Sequence, residues 1–125
     1  MVEECKDLRR SLDYLDTRRD IAHDWIGYYG VSDGARLGVI LAPIEPRIRA
    51  AVLVAGGLPP EPRPPEIDEL NFAPRVRIPV LMLNGRYDLS YLAETHWCPV
   101  KYFAKSCKSF AIHRIAGIRP KNDLN

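Results

Sequence analysis

A serine between two glycines is the strongest chemical signal in this sequence. The segment 30–34 is Gly-Val-Ser-Asp-Gly and directly follows the aromatic and β-branched run Trp25–Tyr29. The pattern Gly-x-Ser-x-Gly between a strand and a helix is typical of a nucleophile elbow, a sharp turn that exposes a serine hydroxyl. A serine that only caps the following helix would give the same letters. We therefore predict that Ser32 is a nucleophile, with a capping serine as the alternative.

A helix is predicted after this motif, because apolar residues recur at helical spacing as far as Ile44. We predict that it runs from Ala35 to about Ala42 and that Pro43 and Pro46 end it. The amino end of a helix carries a partial positive charge, which would stabilise an oxyanion forming beside the serine.

The backbone N–H of Asp33 is the predicted oxyanion-hole donor, since Asp33 directly follows the serine. The carboxylate of the same residue would oppose negative charge developing there. Arg36, one helical turn further on, would partly neutralise that carboxylate. Both glycines of the motif are expected to be required, because the backbone passes close to its neighbours in so tight a turn.

A second polar group follows another apolar run. The run Pro79–Asn84 has the composition of a buried strand, and Asp88 ends the turn after it. The carboxyl ends of parallel strands meet at one edge of a sheet, where ligands bind. Ser32 and Asp88 are therefore expected to converge on that edge, although aspartate is also common in ordinary turns.

Strands and helices alternate along the chain, which predicts an α/β fold with about four mostly parallel strands flanked by helices. The predicted strands are Trp25–Tyr29, Arg49–Ala55, Pro79–Asn84 and Phe110–Ile115. Additional helices are predicted around an apolar face (Leu8, Leu12, Leu15) and within Pro99–Ser106. The proline-rich segment 58–77 is predicted to be a loop inside one domain, because another buried strand follows it.

Composition narrows the classes of function. With 46% hydrophobic residues, 27% charged residues and a net charge of +2, the chain is typical of a globular protein. It has no basic run interleaved with aromatic residues and no apolar stretch of about 20 residues, so neither nucleic acid nor a membrane is the expected partner. Three cysteines without a Cys-x-x-Cys pair favour reduced thiols over a disulfide framework or a zinc site. We expect no metal, no cofactor and a cytoplasmic location.

The segment 20–38 resembles the elbow region of dienelactone hydrolase-like and prolyl oligopeptidase-like α/β-hydrolases. Segments 49–55 and 71–88 are similar to the same families, and the resemblance covers roughly residues 6 to 88 before it fades. It implies a Ser–Asp–His hydrolase that forms an acyl-enzyme on Ser32, with Asp88 orienting the histidine and a small ester or a peptide as substrate. It also implies a single truncated domain over residues 1–125, whose first strands and second oxyanion donor would lie before Met1.

The histidine of the triad is not evident at the place that the resemblance implies. There a Gly-His turn would follow the last strand, whereas here Ile118 follows Gly117. His113 is the candidate base, although it lies five residues earlier, and His96 and then His23 are weaker candidates. Without a base, a serine hydroxyl is a poor nucleophile at neutral pH. An inactive member of the fold is therefore an open alternative.

The run Trp25–Tyr29 would be an unpaired sheet edge if no strand lies beside it, and exposed edges invite pairing. The alternative function is therefore a non-catalytic hydrolase remnant that binds a partner, or a second copy of itself, through this edge. A small molecule or phosphate held at the helix start near Gly34 is a third reading. Asp33 disfavours an anion there, and the sequence has no glycine-rich phosphate loop.

Overall fold

The structure is a computed structural model that describes residues 1–56, 63–85 and 107–111, the last segment by its backbone alone. The strands are β1 (Ile26–Val31), β2 (Ile48–Val54), β3 (Val80–Leu83) and β4 (Cys107–Ala111). The helices are α1 (Val2–Asp16), α2 (Asp33–Ile44) and α3 (Glu69–Phe72), with 3₁₀ turns at His23–Trp25 and Ala73–Arg75. In these residues no helix is long and apolar enough to cross a membrane.

The four strands form one sheet in the order β1-β2-β3-β4, and each neighbouring pair is parallel. The order across the sheet is thus the order along the chain. The prediction of an α/β fold with about four mostly parallel strands flanked by helices is confirmed. Because the strands run in the same direction, their carboxyl ends lie along one edge, and Ser32 directly follows β1 at that edge.

Helix α2 packs on the sheet and supplies much of the core. Its buried residues include Ala35, Val39 and Ala42, which cluster with Leu53 of β2 and Met82 of β3. The side chains of Leu53 and Met82 are each 1% exposed. Burying a side chain of this size stabilises a fold by about 1.5–3 kcal/mol. The helix that follows Ser32 is therefore held firmly against the strands.

The predicted end of this helix is wrong. Pro43 lies inside α2, which continues to Ile44. A proline removes one hydrogen bond, to the carbonyl four residues earlier. That loss falls in the last turn, and the N–H of Glu45 still donates to the carbonyl of Leu41 at 2.9 Å to close the turn. One missing bond so near the end does not stop the helix.

Strand β1 is half exposed, and it begins at Ile26, one residue after the predicted start at Trp25. In the sheet that the described residues form, β1 lies at the edge, and Tyr29 and Val31 are 68% and 49% exposed. Trp25 precedes the strand in a 3₁₀ turn and is 83% exposed. The expectation of an edge strand with exposed aromatic residues is confirmed for this part of the chain.

The proline-rich segment contains more structure than the predicted loop. Within its described part, Asp68 caps α3 by accepting a hydrogen bond from the N–H of Leu70 at 2.9 Å. Glu69, Ala73 and Val76 are fully buried. A helix of four residues shows no periodicity in a sequence, which explains why it was not predicted. The segment packs against α2 as part of the fold.

Of the two predictions near the carboxyl end, the strand is met in part by the described residues and the helix is not tested by them. Strand β4 begins at Cys107, three residues before the predicted strand Phe110–Ile115. The remainder of that strand and the predicted helix within Pro99–Ser106 lie outside the described residues. The single domain over 1–125 stays a prediction.

Helix α1 is joined to the turn between α2 and β2 by ion pairs. Glu45, 3% exposed, accepts a hydrogen bond at 2.9 Å from Arg47 and lies 3.4 Å from Arg9 of α1. Arg47 also reaches Asp13 and Asp16 of α1, each at 2.9 Å. The hydrogen bond from Arg47 is the main reason that the pKa of Glu45 is lowered. Because only Leu12 of α1 is buried, these charges supply much of its attachment.

Candidate functional site

Ser32 lies at a sharp turn between β1 and α2, with φ 54° and ψ −116°. These angles mirror the ordinary extended conformation, and non-glycine residues adopt them rarely because their Cβ meets the backbone. The residue is exposed, and its side chain makes no hydrogen bond to the start of α2. The alternative of a capping serine is therefore wrong. The hydroxyl projects at a strained turn, as a nucleophile elbow requires.

The two glycines of the motif differ in how much space the structure leaves for a side chain. A Cβ added to Gly30 would lie 2.4 Å from the carbonyl oxygen of Gly34 and 2.8 Å from the nitrogen of Ala35. A Cβ added to Gly34 would meet only the hydroxyl of Tyr28, at 3.9 Å. The predicted requirement for glycine is confirmed at position 30 and is wrong on steric grounds at position 34.

Tyr28 of β1 supports the first turns of α2 from the side of the sheet. Its hydroxyl donates a hydrogen bond to the carbonyl of Gly34 at 2.7 Å. Its ring lies so close to Gly38 that a Cβ there would be 2.6 Å from the ring. Burial raises the pKa of this tyrosine. The start of α2 is therefore fixed by β1 itself.

The end of β2 forms a second support for the elbow. The N–H of Ser32 donates to the carbonyl of Val54 at 2.9 Å. Gly56 packs so tightly that an added Cβ would lie 2.4 Å from the Cβ of Ala35 and 3.1 Å from the carbonyl oxygen of Ser32. The N–H of Gly56 donates to the side-chain oxygen of Asn84 at 3.0 Å, and Asn84 is 7% exposed. Asn84, directly after β3, is thus bonded to Gly56 after β2, and Gly56 in turn packs against the serine.

A series of charged side chains extends from Asp33, the predicted oxyanion donor, to a buried glutamate. The Asp33 carboxylate is 89% exposed and lies 3.2 Å from Nε of Arg36, as predicted. Nη1 of Arg36 lies 3.4 Å from Oε1 of Glu69, whose side chain is fully buried. Within the described part of the chain, neither carboxylate oxygen of Glu69 has a hydrogen bond. Burial raises the pKa of Glu69.

The remaining predicted site residues are not brought together by the described residues. Asp88, His96 and His113 lie outside them. His23 precedes β1 and lies with Nδ1 3.5 Å from Asp16, at the opposite end of the strand from Ser32. In the part of the chain that is described, no three histidine, cysteine or acidic side chains come together to hold a metal.

Solved structures with a similar fold are described as hydrolases. A predicted dienelactone hydrolase from Klebsiella pneumoniae is 22% identical with a TM-score of 0.77, over 90% of this chain and 48% of that one. A predicted dipeptidyl aminopeptidase IV from Bacteroides ovatus is 17% identical with a TM-score of 0.78, over 91% of this chain and 19% of that one. An acetyl xylan esterase from a Paenibacillus species is 22% identical with a TM-score of 0.71, over 89% of this chain and 45% of that one.

The chain has part of an α/β-hydrolase fold. The sequence itself matches no family model and no curated protein. Identities of 17–22% among these structural neighbours establish the fold alone. The chain spans between about a fifth and about half of the length of the three neighbours described.

In an α/β-hydrolase fold the nucleophile occupies the strained turn between a strand and the following helix. Ser32 occupies that turn here, and the backbone N–H of Asp33 lies in the first turn of α2, where helical N–H groups have no partner within the helix. Sequence reasoning missed the supporting residues Tyr28, Asn84 and Glu69. Asn84 offered a signal, since it follows a strand as Ser32 does, whereas Glu69 lies in a segment that was predicted to be a loop.

Replacing Ser32 by glycine is expected to raise the stability of the protein by about 1 kcal/mol, because glycine adopts a positive φ without strain. Replacing it by alanine removes the hydroxyl but keeps the Cβ, so the stability should stay within about 0.5 kcal/mol of the original. Urea denaturation of the three proteins measures both changes. A glycine variant no more stable than the alanine variant would contradict strain at this turn.

Replacing Glu69 by glutamine is expected to flatten the pH dependence of stability above pH 4.5. Burial raises the pKa of Glu69 above 4.5, so its contribution is full below that pH and is lost as the pH rises through the raised pKa. The slope from one such group is at most about 1.4 kcal/mol per pH unit. Urea denaturation at several pH values above 4.5 measures this slope. Glu66→Gln, at an exposed carboxylate of the same segment, is the control. An unchanged slope in Glu69→Gln would refute the assignment.

Proposed function

We propose that this chain acts on ester or amide bonds as a serine hydrolase, through an acyl-enzyme on Ser32. The observation that carries the proposal is the conformation of Ser32, an exposed serine without a capping bond at φ 54°. A fold does not maintain strain at such a residue without a gain elsewhere, and strained residues cluster at active sites. The neighbours described as esterases and peptidases support the same class of reaction.

In the proposed reaction the Ser32 hydroxyl oxygen attacks the carbonyl carbon, and its proton passes to a base. The negative charge on the carbonyl oxygen is stabilised by the N–H of Asp33 and by the positive end of α2. The alcohol or amine then leaves with the proton, and water hydrolyses the ester on Ser32. Arg36, 3.2 Å from the Asp33 carboxylate, offsets a charge that would oppose the oxyanion.

The base and the acid of this proposal are His113 and Asp88. Their positions relative to Ser32 are not part of the described structure, so the rate of turnover depends on residues that the geometry above does not include. A chain that lacks an effective base would have the elbow and yet hydrolyse slowly or not at all. The experiment must therefore separate activation of the serine from turnover.

Labelling with a fluorophosphonate probe makes this separation, because the probe reacts with an activated serine and needs no second step. We expect labelling of the protein, its loss in Ser32→Ala, and full labelling in Ser11→Ala, which replaces an exposed serine on α1. His113→Gln and Asp88→Asn should slow labelling by about a hundredfold or more. Absence of labelling, or labelling that survives Ser32→Ala, would refute the proposed nucleophile.

A second candidate function is favoured by the exposed edge of β1. Tyr29 and Val31 are 68% and 49% exposed on a strand that has a paired neighbour on one side only, among the described residues. We propose that a second copy of the chain pairs with this edge. Light scattering after size exclusion should then detect a dimer that Tyr29→Lys dissociates, since charge on an edge strand opposes pairing. A monomer at all concentrations would refute this function.

A further inference from the structure

A cavity of about 380 Å³ opens at the opposite end of the sheet from Ser32. It lies between the start of β2, the segment that precedes β3 and the last turn of α2, and its lining includes Ile48, Ile78 and Pro43. Strand β2 has seven residues, which separate its two ends by roughly 20 Å. The cavity is therefore distinct from the elbow.

The described residues that line this cavity give it a positive charge. Three of these nine residues are arginines, namely Arg49, Arg75 and Arg77, and none of the nine is acidic. Within the described part of the chain, the side chains of Arg49 and Arg77 make no hydrogen bond or ion pair, and the guanidinium of Arg75 lies over the ring of Phe72 at 5.9 Å. Elsewhere Arg9, Arg18, Arg36 and Arg47 each lie within 4 Å of a carboxylate.

The pairing of β2 with β3 brings together the two segments that carry Arg49 and Arg77. The N–H of Ala51 donates to the carbonyl of Pro79 at 3.0 Å, and Ala51 is the partner of Val80. Arg49 is two residues before Ala51 and Arg77 is two residues before Pro79, so both arginines lie just before this pairing begins, and both line the cavity. Like charges that line one cavity repel each other, and an anion bound there would relieve that repulsion.

We propose that this cavity binds the phosphoryl group of a small molecule, held by Arg49 and Arg77. The planar guanidinium group donates two parallel hydrogen bonds to phosphate oxygens, which suits it to this ligand. The volume lies at the lower end of the range for small-molecule sites. Apolar lining from Ile48 and Ile78 provides a surface for an organic group attached to the phosphate.

Titration calorimetry at about 0.15 M ionic strength tests the proposal with inorganic phosphate, phenyl phosphate and phenol. We expect saturable binding of both phosphates and none of phenol. Tighter binding of phenyl phosphate identifies an organic phosphate as the ligand, and equal affinities identify free phosphate. Either result supports the phosphoryl site, whereas no saturable binding of either phosphate at millimolar concentrations would overturn it.

Single substitutions test whether phosphate binds in this cavity. Arg49→Gln and Arg77→Gln should each weaken phosphate binding by about tenfold or more, because a hydrogen bond between charged groups is lost. Arg18→Gln is the matched control, since Arg18 pairs with Asp20 away from the cavity and should leave the affinity unchanged. Thermal denaturation verifies that each variant is folded. Equal affinity in folded Arg49→Gln and Arg77→Gln variants would overturn the assignment.

Discussion

Replacing Gly30 by alanine is expected to destabilise the protein by about 3 kcal/mol, the largest effect of one methyl group at the elbow. The added Cβ would lie 2.4 Å from the carbonyl oxygen and 2.5 Å from the carbonyl carbon of Gly34. These are backbone atoms of the first turn of α2, so no side chain can rotate away to make room. A small domain has about 5–15 kcal/mol of stability, and the variant should unfold at a clearly lower urea concentration.

Gly34→Ala is the control within the same motif. Its added Cβ would meet only the Tyr28 hydroxyl, at an ordinary distance of 3.9 Å. Alanine also favours helix over glycine, so the stability should change by less than about 1 kcal/mol and in the stabilising direction. Equal losses in Gly30→Ala and Gly34→Ala, measured by urea denaturation, would contradict the contrast that the structure draws between the two glycines.

Replacing Asn84 by leucine is expected to cost about 2–3 kcal/mol and to slow labelling of Ser32 by the fluorophosphonate probe. Leucine keeps the approximate size but removes the oxygen that accepts from the N–H of Gly56 at 3.0 Å. A buried donor left without its partner loses about 1–3 kcal/mol, and further contacts of Asn84 are lost with it. Gly56 packs against the Ser32 carbonyl, so its displacement would disturb the turn that presents the hydroxyl.

Asn71→Leu is the matched control for this experiment. Asn71 is exposed, and its side chain donates to the carbonyl of Pro65 at 2.9 Å, away from the strand ends. Its replacement should cost less than about 1 kcal/mol and leave the labelling rate unchanged. If Asn84→Leu lowers the urea midpoint but labels at the original rate, Asn84 stabilises the sheet without positioning the serine.

Much of the fold could be predicted because its strands and its central helix are apolar runs bounded by glycine and proline. The predicted strand Arg49–Ala55 corresponds to β2 at Ile48–Val54, one residue earlier at each end. Burial was harder to predict, because the same aromatic residues suit a buried strand and a half-covered edge strand such as β1. The four residues of α3 carry too little periodicity to be recognised, and their burial depends on packing against α2.

The candidate site was predictable where its chemistry lies in consecutive residues. The five residues 30–34 were enough to predict the strand-to-helix turn at Ser32, because an elbow is a local turn. The supports of that turn are contacts between distant parts of the chain: the hydrogen bond from Gly56 to Asn84 joins residues 28 positions apart. The pairing of Arg36 with Glu69 likewise arises only when α3 folds onto α2. A single sequence contains no local pattern from which such pairs follow.

The agreement between strand order and chain order has a consequence for synthesis on the ribosome. Strands β2, β3 and β4 each pair with the described strand that precedes them in the chain, so β1, α2 and β2 can associate while later residues are still being added. The elbow and the partner carbonyl of Val54 both lie within this first unit. Asn84, which supports the elbow through Gly56, is added about thirty residues after Val54. At typical elongation rates, adding these residues takes a few seconds. In the nascent chain the turn at Ser32 would therefore form before Asn84 is available to stabilise it.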